Sequence, residues 1–281
     1  MKVVVTGGSG LAGSFVVKDL VEHGHEVSIV DRIQPREDIV PYKFVDLEDL
    51  GQTIGALNGA DAVAHLGAIP RPVFHTSEVV FRTNVVSTFN VFEAAAIVGI
   101  SRVVYASSMS VLGYPFYHQL FQPKYVPIDE DHPNLPQDGY ALSKYLGEEI
   151  AKAFTRRVEM TAISLRLMWI HTPETFRELV PPMWDDPDLE TAAPNLWVYI
   201  DTRDVAQAFR LSLQADLTGH HAFFISAPDS FMKTPTTELM QRYYPDTEIR
   251  PGFEGNQSVV SSAKAEQVLG FKAQYTWESY F

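Results

Sequence analysis

The stretch Thr6-Gly7-Gly8-Ser9-Gly10-Leu11-Ala12-Gly13 decides the fold of this sequence. It follows the apolar run Val3-Val4-Val5, which predicts a buried strand over 2–6, and it leads into a helix pattern over 11–23. In that context the glycines allow a tight turn and a close approach of the backbone to a pyrophosphate on the helix N-terminus. The dinucleotide contacts expected here are Gly7, Gly10, Leu11, Ala12 and Gly13. A glycine-rich loop without a ligand gives the same pattern, so other signals must decide.

An acidic residue at the end of the second predicted strand supports the dinucleotide site. Asp31 follows the strand predicted over 26–30 and lies 18 residues after Gly13, near the spacing of roughly 20 typical of a ribose-binding carboxylate. Such a carboxylate accepts a hydrogen bond from the 2′-hydroxyl and repels a 2′-phosphate, which favours NAD over NADP. Arg32 opposes this preference if it pairs with the extra phosphate; otherwise it is a solvated loop charge. We therefore expect NAD as the cofactor, with Asp31 and Arg32 beside its ribose.

The first half of the chain alternates strand and helix patterns. Further strands are predicted over 42–45, 61–66, 102–107 and 160–166, and further helices over 47–57, 77–98 and 139–155. Gly24, Gly59 and Gly99 fall where helices should end. The alternation predicts an α/β fold with a doubly wound parallel sheet, a Rossmann fold, and an NAD-binding domain over 1–166.

Beyond Arg166 the pattern weakens. The segment 170–196 is rich in Pro, Asp, Glu and Trp without clear periodicity, and we interpret it as a substrate-side excursion. Strands are then predicted over 197–200 and 222–226, and helices over 202–214, 235–243 and 261–268. We expect residues 167–281 to form this substrate-side segment and a small C-terminal lobe interleaved with the last sheet strands.

The composition excludes several classes of function. The formal net charge of −13 argues against a nucleic-acid partner, because phosphate contacts depend on clustered Lys and Arg. The absence of cysteine excludes disulfide bonds and a thiolate nucleophile. No apolar stretch approaches the roughly 20 residues of a membrane span, and the nine histidines show no metal-ligand spacing. We expect a cytoplasmic protein with a small-molecule substrate, without a metal ion, a membrane contact or a nucleic-acid partner.

Tyr140 and Lys144 lie four residues apart at the start of the helix predicted over 139–155, so their side chains share one face. A free tyrosine has a pKa near about 10, but an adjacent ammonium stabilises its phenolate. The pair can then take a proton from an alcohol whose carbon gives a hydride to a nicotinamide. Solvated helix faces often show the same spacing by chance. Together with the glycine-rich turn, the pair predicts an oxidoreductase or an epimerase.

At these motifs the sequence resembles the extended short-chain dehydrogenase/reductase family, also called the NAD-dependent epimerase/dehydratase family. The glycine motif matches TGGSGLAG, the Tyr-x-x-x-Lys motif matches YALSK, and the resemblance extends to about residue 210. The family's Ser-Ser-x-x-Val-Tyr-Gly segment resembles 107–113, which implies that Ser108 polarises the substrate oxygen beside Tyr140 and Lys144. Ser107 is then expected to be structural, satisfying backbone groups at the strand end.

The resemblance also implies further cofactor contacts and an assembly. The implied contacts are Asp46, Leu47, Leu66, Gly67, Ala68 and Asn84, in addition to Tyr140 and Lys144. It further implies a homodimer through the helices predicted over 77–98 and 139–155. Leu112, Gly67 and Ile170-His171 depart from the family's usual Tyr, Ala and Tyr-Gly, which puts the substrate class in doubt.

Three functions fit these motifs: a dehydrogenase of a free sugar or sugar acid, a nucleotide-sugar 4-epimerase or dehydratase, and a non-catalytic NAD-binding protein. The third has no chemical need for the Ser, Tyr and Lys set. Only 32 residues separate Arg166 from Tyr199, which favours a small substrate over a nucleotide sugar. The stretch Thr172–Arg177 resembles the Thr-Pro-Glu and arginine of uronate dehydrogenases, and Arg177 is therefore the expected carboxylate partner. Alternatively, Arg177 pairs with Glu174 or Glu178 on a helix surface.

Overall fold

The computed structural model describes residues 1–185 and 192–281. Its centre is a seven-stranded sheet in which every pairing is parallel. The strands are β1 (Lys2–Thr6), β2 (Glu26–Asp31), β3 (Tyr42–Phe44), β4 (Ala62–His65), β5 (Arg102–Ser108), β6 (Tyr125–Val126), β7 (Thr161–Leu167), β8 (Trp169–His171), β9 (Tyr199–Asp201), β10 (His220–Ile225) and β11 (Glu248–Ile249). The helices are α1 (Leu11–Glu22), α2 (Leu50–Leu57), α3 (Ser77–Val98), α4 (Gly139–Arg157), α5 (Pro173–Leu179), α6 (Pro181–Asp185), α7 (Thr202–Gln214), α8 (Thr236–Tyr243) and α9 (Ala263–Leu269).

The strand order of the central sheet is β10-β7-β5-β4-β1-β2-β3, so the order reverses between β1 and β4. Ligands of doubly wound sheets bind outside the carboxyl ends of the strands at such a switch point. Thr6 and His65 end these two strands and are paired in register, so the crevice opens directly after them. The predicted Rossmann fold is confirmed.

Apolar side chains that alternate along the strands build a core on each face of the sheet. Val3 and Val5 of β1 pack on the side of α1 and α7, whereas Val4 packs on the side of α2, α3 and α4. Gly99 ends α3 with a φ of +82°, the left-handed conformation expected from its position. The helices and strands outside 170–201 begin and end within three residues of the predicted limits, apart from the two-residue strands β6 and β11, which are too short to give a pattern.

The segment 170–196 contains more regular structure than its pattern predicts. β8 pairs with β9 in a separate two-stranded sheet, and α5 begins behind Thr172, whose side chain accepts a hydrogen bond from the Thr175 N–H. The strand predicted over 197–200 therefore starts at Tyr199 and lies outside the central sheet, because β8 supplies its backbone partners. Part of the predicted excursion, 186–191, lies outside the described residues. Among the residues that are described, no helix is long and apolar enough to cross a bilayer.

Candidate active site

The glycine-rich turn closes tightly over the end of β4. Gly7 has a φ of +71°, and a Cβ there would lie 2.6 Å from the Gly67 backbone nitrogen. A Cβ on Gly13 would collide with the Gly7 carbonyl oxygen, so α1 packs directly on the turn. The Gly10 N–H donates to the same carbonyl at 3.1 Å. These contacts require glycine for steric reasons, and they leave the N-terminus of α1, where Leu11 and Ala12 lie, beside the switch point.

Asp31 and Arg32 have different surroundings at the end of β2. The Asp31 carboxylate accepts hydrogen bonds from the N–H groups of Ser9 and Ile33, both at 3.1 Å, which tie it to the glycine-rich turn. The Arg32 guanidinium donates to the carboxylates of Asp46 and Glu48. The hydrogen bond from Arg32 lowers the pKa of Asp46 although burial acts in the opposite direction. Arg32 is therefore already paired with two acidic side chains.

The loop after β4 is held to β1 and α3. The Gly67 N–H donates to Thr6 Oγ1 at 3.1 Å, and the Leu66 N–H donates to the Thr6 carbonyl at 3.0 Å. Ala68 directly follows. A Cβ on Gly67 would lie 2.6 Å from Leu47 Cδ1. The close packing of Leu47 therefore explains why a glycine stands here where the family usually has alanine.

Asn84 connects this loop to the helix that carries the Tyr and Lys pair. Its Oδ1 accepts from the Ile69 N–H at 2.8 Å, and its Nδ2 donates to the Ile69 carbonyl at 3.1 Å and to Ser143 Oγ at 3.2 Å. Asn84 is buried. With these bonds it fixes the wall of the crevice by joining the β4–α3 loop to α4.

His65 lies at the floor of the crevice and was not among the predicted site residues. Its Nδ1 lies 2.7 Å from Thr6 Oγ1 and its Nε2 lies 3.2 Å from Thr88 Oγ1. Burial lowers its pKa to about 3, so the ring is neutral. Thr6 Oγ1 also accepts from the Gly67 N–H, so one hydroxyl joins the His65 ring to the loop after β4. The signal in the sequence was its position at the end of a buried strand.

Tyr140 and Lys144 lie on the first turns of α4. Asp138 caps this helix and accepts from the N–H groups of Tyr140 and Ala141 at 2.8 and 3.0 Å. Lys144 Nζ donates to the Ala106 carbonyl at 2.8 Å and lies 5.8 Å from the centre of the Tyr140 ring. Both side chains are buried. The structure thus places the two groups together at the end of β5.

Burial shifts both pKa values toward the uncharged forms. It lowers the pKa of Lys144 to about 7 and raises the pKa of Tyr140 to about 12. A hydrogen bond with Ser108 acts to lower the pKa of Tyr140, but by less than burial raises it. Desolvation therefore sets the direction of both shifts.

Ser108 ends β5 and faces the same space. Its Oγ donates to Ser110 Oγ at 3.0 Å and accepts from the Ser110 N–H at 3.1 Å. Ser108 also acts to lower the pKa of Tyr140 through a hydrogen-bonding contact, so the two side chains are neighbours. Ser108, Tyr140 and Lys144 therefore meet where β5 and α4 approach the switch point.

Arg177 lies on α5 and holds the C-terminal segment. Its Nη1 donates to the Tyr280 carbonyl at 2.6 Å, and its Nη2 lies 3.3 Å from Glu174 Oε1. The contact with Glu174 is the alternative that the sequence predicts. The bond to the Tyr280 carbonyl is not indicated by any sequence pattern.

Within 1–185 and 192–281, no group of three or more His, Asp or Glu side chains could hold a metal ion.

Comparison with known proteins gives a family match. Residues 3–186 match the model of the NAD dependent epimerase/dehydratase family. A UDP-glucose 4-epimerase of Corynebacterium glutamicum is 26% identical over 98% of this chain and 92% of its own length. An L-arabinose 1-dehydrogenase (NAD(P)(+)) of Haloferax volcanii is 27% identical over 77% of this chain and 84% of its own length. A uronate dehydrogenase of Pseudomonas syringae pv. tomato is 28% identical over 59% of this chain and 58% of its own length.

Solved structures agree in fold. A short-chain dehydrogenase/reductase superfamily protein from Agrobacterium tumefaciens, solved with bound NAD, superposes with a TM-score of 0.76 over 100% of this chain and 94% of its own at 24% identity. MoeE5 in complex with UDP-glucuronic acid and NAD superposes with a TM-score of 0.74 over 98% of this chain and 95% of its own, at 23% identity.

Proposed function

Because this chain belongs to the NAD-dependent epimerase/dehydratase family, we propose that it is an NAD-dependent dehydrogenase that oxidises a small sugar or sugar acid. The observation that carries this proposal is the buried meeting of Ser108, Tyr140 and Lys144 beside the switch-point crevice. A hydroxyl donor, a phenol and an ammonium are the groups that an alcohol oxidation needs. We assign residues 1–166 to the NAD-binding domain and 167–281 to the substrate side.

The residues present fit NAD. The glycine-rich turn and the N-terminus of α1 suit a pyrophosphate, and the Asp31 carboxylate suits a ribose. When bound, NAD supplies the hydride acceptor. On the protein side, Ser108 donates a hydrogen bond to the substrate oxygen, and Tyr140 removes its proton. Lys144, when protonated, stabilises the phenolate form of Tyr140 that takes this proton and becomes a neutral phenol.

A small substrate fits the packing between β8 and the C-terminus. Phe176 of α5 is fully buried against a set of rings that closes this side of the lobe. Those rings are His171, Trp184, Tyr199, Trp277, Tyr280 and Phe281. Both an arabinose dehydrogenase and a uronate dehydrogenase are among the relatives. A nucleotide-sugar epimerase or dehydratase is the second candidate, because a UDP-glucose 4-epimerase matches over nearly the whole chain.

Arg177 is our candidate for binding a substrate carboxylate. An ion pair between exposed side chains contributes little, so Nη2 can exchange Glu174 for a ligand. Meanwhile Nη1 stays on the Tyr280 carbonyl and keeps the guanidinium oriented. A planar fork of this kind suits a carboxylate.

The test is a substrate panel followed at the NADH absorbance band, with separation of the products. Glucuronate, galacturonate, neutral aldoses and UDP- and dTDP-sugars are compared. We expect net NADH from a uronate or a free aldose. Epimerised nucleotide sugar without net NADH would contradict the dehydrogenase and establish the second candidate. Uronate oxidation that survives Arg177→Ala with an unchanged KM removes only the role of Arg177.

The resemblance to the NAD-dependent epimerase/dehydratase family also supports a homodimer. An apolar groove between α3 and α4 is lined by Val85, Val86, Phe89, Leu146, Glu149, Ile150 and Ala153. Phe89 is 45% exposed although it lies in the middle of α3. Two copies of this groove can pack against each other about a two-fold axis, since an isologous interface uses the same patch twice. We propose this pair of helices as the dimer interface.

A further inference from the structure

A buried ion pair joins α4 to the central sheet outside the Ser108, Tyr140 and Lys144 set. Arg166 of β7 donates from Nε to Glu148 Oε1 at 2.9 Å and from Nη2 to Glu148 Oε2 at 2.8 Å. Ser107 of β5 donates its hydroxyl to Glu148 Oε1 at 2.6 Å. All three side chains are buried. We call these three residues the carboxylate clamp.

Two residues of the clamp are close in the chain to residues of the candidate active site, and the third pairs with one of these two. Ser107 directly precedes Ser108, and Glu148 follows Lys144 by one helical turn. Arg166 pairs in register with Ser107, as Leu167 does with Ser108. The clamp therefore ties the strand that carries the serine to the helix that carries the tyrosine and lysine.

The buried ion pair of the clamp fixes the geometry of strand and helix more than it stabilises the fold. Removing two charges from water costs several kcal/mol for each ion, and a buried pair often contributes no net stability over apolar packing. The two-pronged contact of Arg166 with Glu148 nevertheless allows only one relative orientation of strand and helix. Ser107 then adds a charge-assisted bond at the end of β5, one residue before the reacting hydroxyl.

We propose that Ser107, Glu148 and Arg166 are positioning residues that set the separation between the hydroxyls of Ser108 and Tyr140. This inference rests on the proposed function only in taking those two hydroxyls as the reacting groups. A misplacement of about 1 Å can cost about 100-fold in rate, because the reacting groups must be held in near-attack geometry. The expected contacts to the pyrophosphate and the ribose, at the glycine-rich turn and Asp31, do not involve the clamp, so its loss lowers kcat far more than it lowers the affinity for NAD.

Ser107→Ala tests the clamp with the least disturbance, because it removes one hydroxyl and leaves the charge pair intact. Ser164→Ala is the matched control. Ser164 is a buried serine on the neighbouring strand β7, and its Oγ lies 3.0 Å from His220 Nε2 instead of bonding to Glu148. Each variant removes one hydrogen bond of a buried serine, so both should lower the melting temperature, Ser107→Ala by more because its bond to the Glu148 carboxylate is charge-assisted. We expect kcat to fall about 10- to 100-fold in Ser107→Ala and to stay within about two-fold in Ser164→Ala.

A double variant separates positioning from general damage. If Ser107 acts through Ser108, adding Ser107→Ala to Ser108→Ala causes no further loss of kcat. Equal kcat losses in Ser107→Ala and Ser164→Ala, or independent losses in the double variant, overturn the proposal.

The measurement uses whichever substrate the wild-type protein turns over, uronate or nucleotide sugar, so failure of the dehydrogenase assignment leaves this test intact. If neither is turned over, crystal structures of the two serine variants with NAD decide. The separation of Ser108 Oγ and Tyr140 Oη must then change in Ser107→Ala and not in Ser164→Ala; unchanged separations in both overturn the clamp's role.

Discussion

Replacing Asp31 by asparagine should weaken the preference for NAD over NADP. The carboxylate is tied by two backbone N–H groups to the glycine-rich turn, so it cannot easily move away from a ligand at that turn. A 2′-phosphate on the adenosine ribose would meet this negative charge. Arg32, the cation nearest in sequence, already donates to two carboxylates, Asp46 and Glu48, where Arg177 has one, so it is less available to compensate.

The size of the effect follows from Coulomb's law. Two unit charges about 4 Å apart interact by about 4 kcal/mol at an effective dielectric constant of about 20. Asp31 is only half-buried, and salt screens the pair, so we reduce this to about 1.5–3 kcal/mol, or about 10- to 100-fold in the ratio of dissociation constants. Asp31→Asn keeps the size of the side chain and removes the charge, so the ratio should fall to within a few-fold of one.

Fluorescence titrations with NADH and NADPH measure both constants, at low and at physiological salt. Asp46→Asn provides the complementary change, because it releases Arg32 from its closest partner and should tighten NADPH relative to NADH; the ratio of the two constants cancels any cofactor contact of Asp46 that both dinucleotides share. Equal or tighter binding of NADPH by the wild-type protein would refute the reasoning. If Arg32→Ala then abolished that binding, Arg32 would be the residue that governs the choice.

Three other predictions follow from the structure. Tyr140→Phe should abolish turnover with NAD affinity nearly unchanged, whereas Lys144→Ala should damage both; a Tyr140→Phe enzyme that retains most of its activity removes the phenol from the mechanism. Phe89→Glu should convert a dimer into monomers in sedimentation, while Leu120→Glu, at a loop residue of comparable exposure, should not; a dimer that survives Phe89→Glu contradicts the interface. Burial raises the pKa of Asp229 from 3.8 to about 6, so its contribution to stability is complete below pH 4 and is lost as the pH rises through 6. The unfolding free energy of Asp229→Asn relative to wild type should therefore increase between pH 4 and pH 7 by up to about 3 kcal/mol, and a constant difference contradicts this.

Local patterns in the sequence were sufficient for most of the fold. The helix over 77–98 begins and ends at its predicted residues, because its start and its terminal Gly99 are both signalled within the element. The glycine-rich turn was equally readable, since the steric limits at Gly7 and Gly13 come from adjacent elements. Where pairing involves distant parts of the chain, these signals fail. The strand that begins at Tyr199 pairs with β8 outside the central sheet. Nothing in its own segment indicates which strand is its partner.

The partners of polar side chains were harder to predict than their positions. Arg177 bonds to the carbonyl of Tyr280, which is 103 residues away, and a backbone carbonyl carries no sequence signal. Ser107 was expected to satisfy backbone groups, but its hydroxyl donates to Glu148 on another element. Such contacts depend on how β5, β7 and α4 pack in three dimensions.

The Tyr and Lys pair shows why the spacing of two residues does not give their chemistry. A local rule predicts that the ammonium of Lys144 lowers the pKa of Tyr140, yet burial moves both groups toward neutrality, to about 7 for the lysine and about 12 for the tyrosine. Desolvation depends on the closure of β5 and α4 around the pair, and no spacing of two residues reports it. Tyr140 therefore keeps its proton at neutral pH. The rate of oxidation should rise with pH, and the profile of kcat, which reports the loaded enzyme, is the one that reveals how far binding lowers the pKa of this phenol.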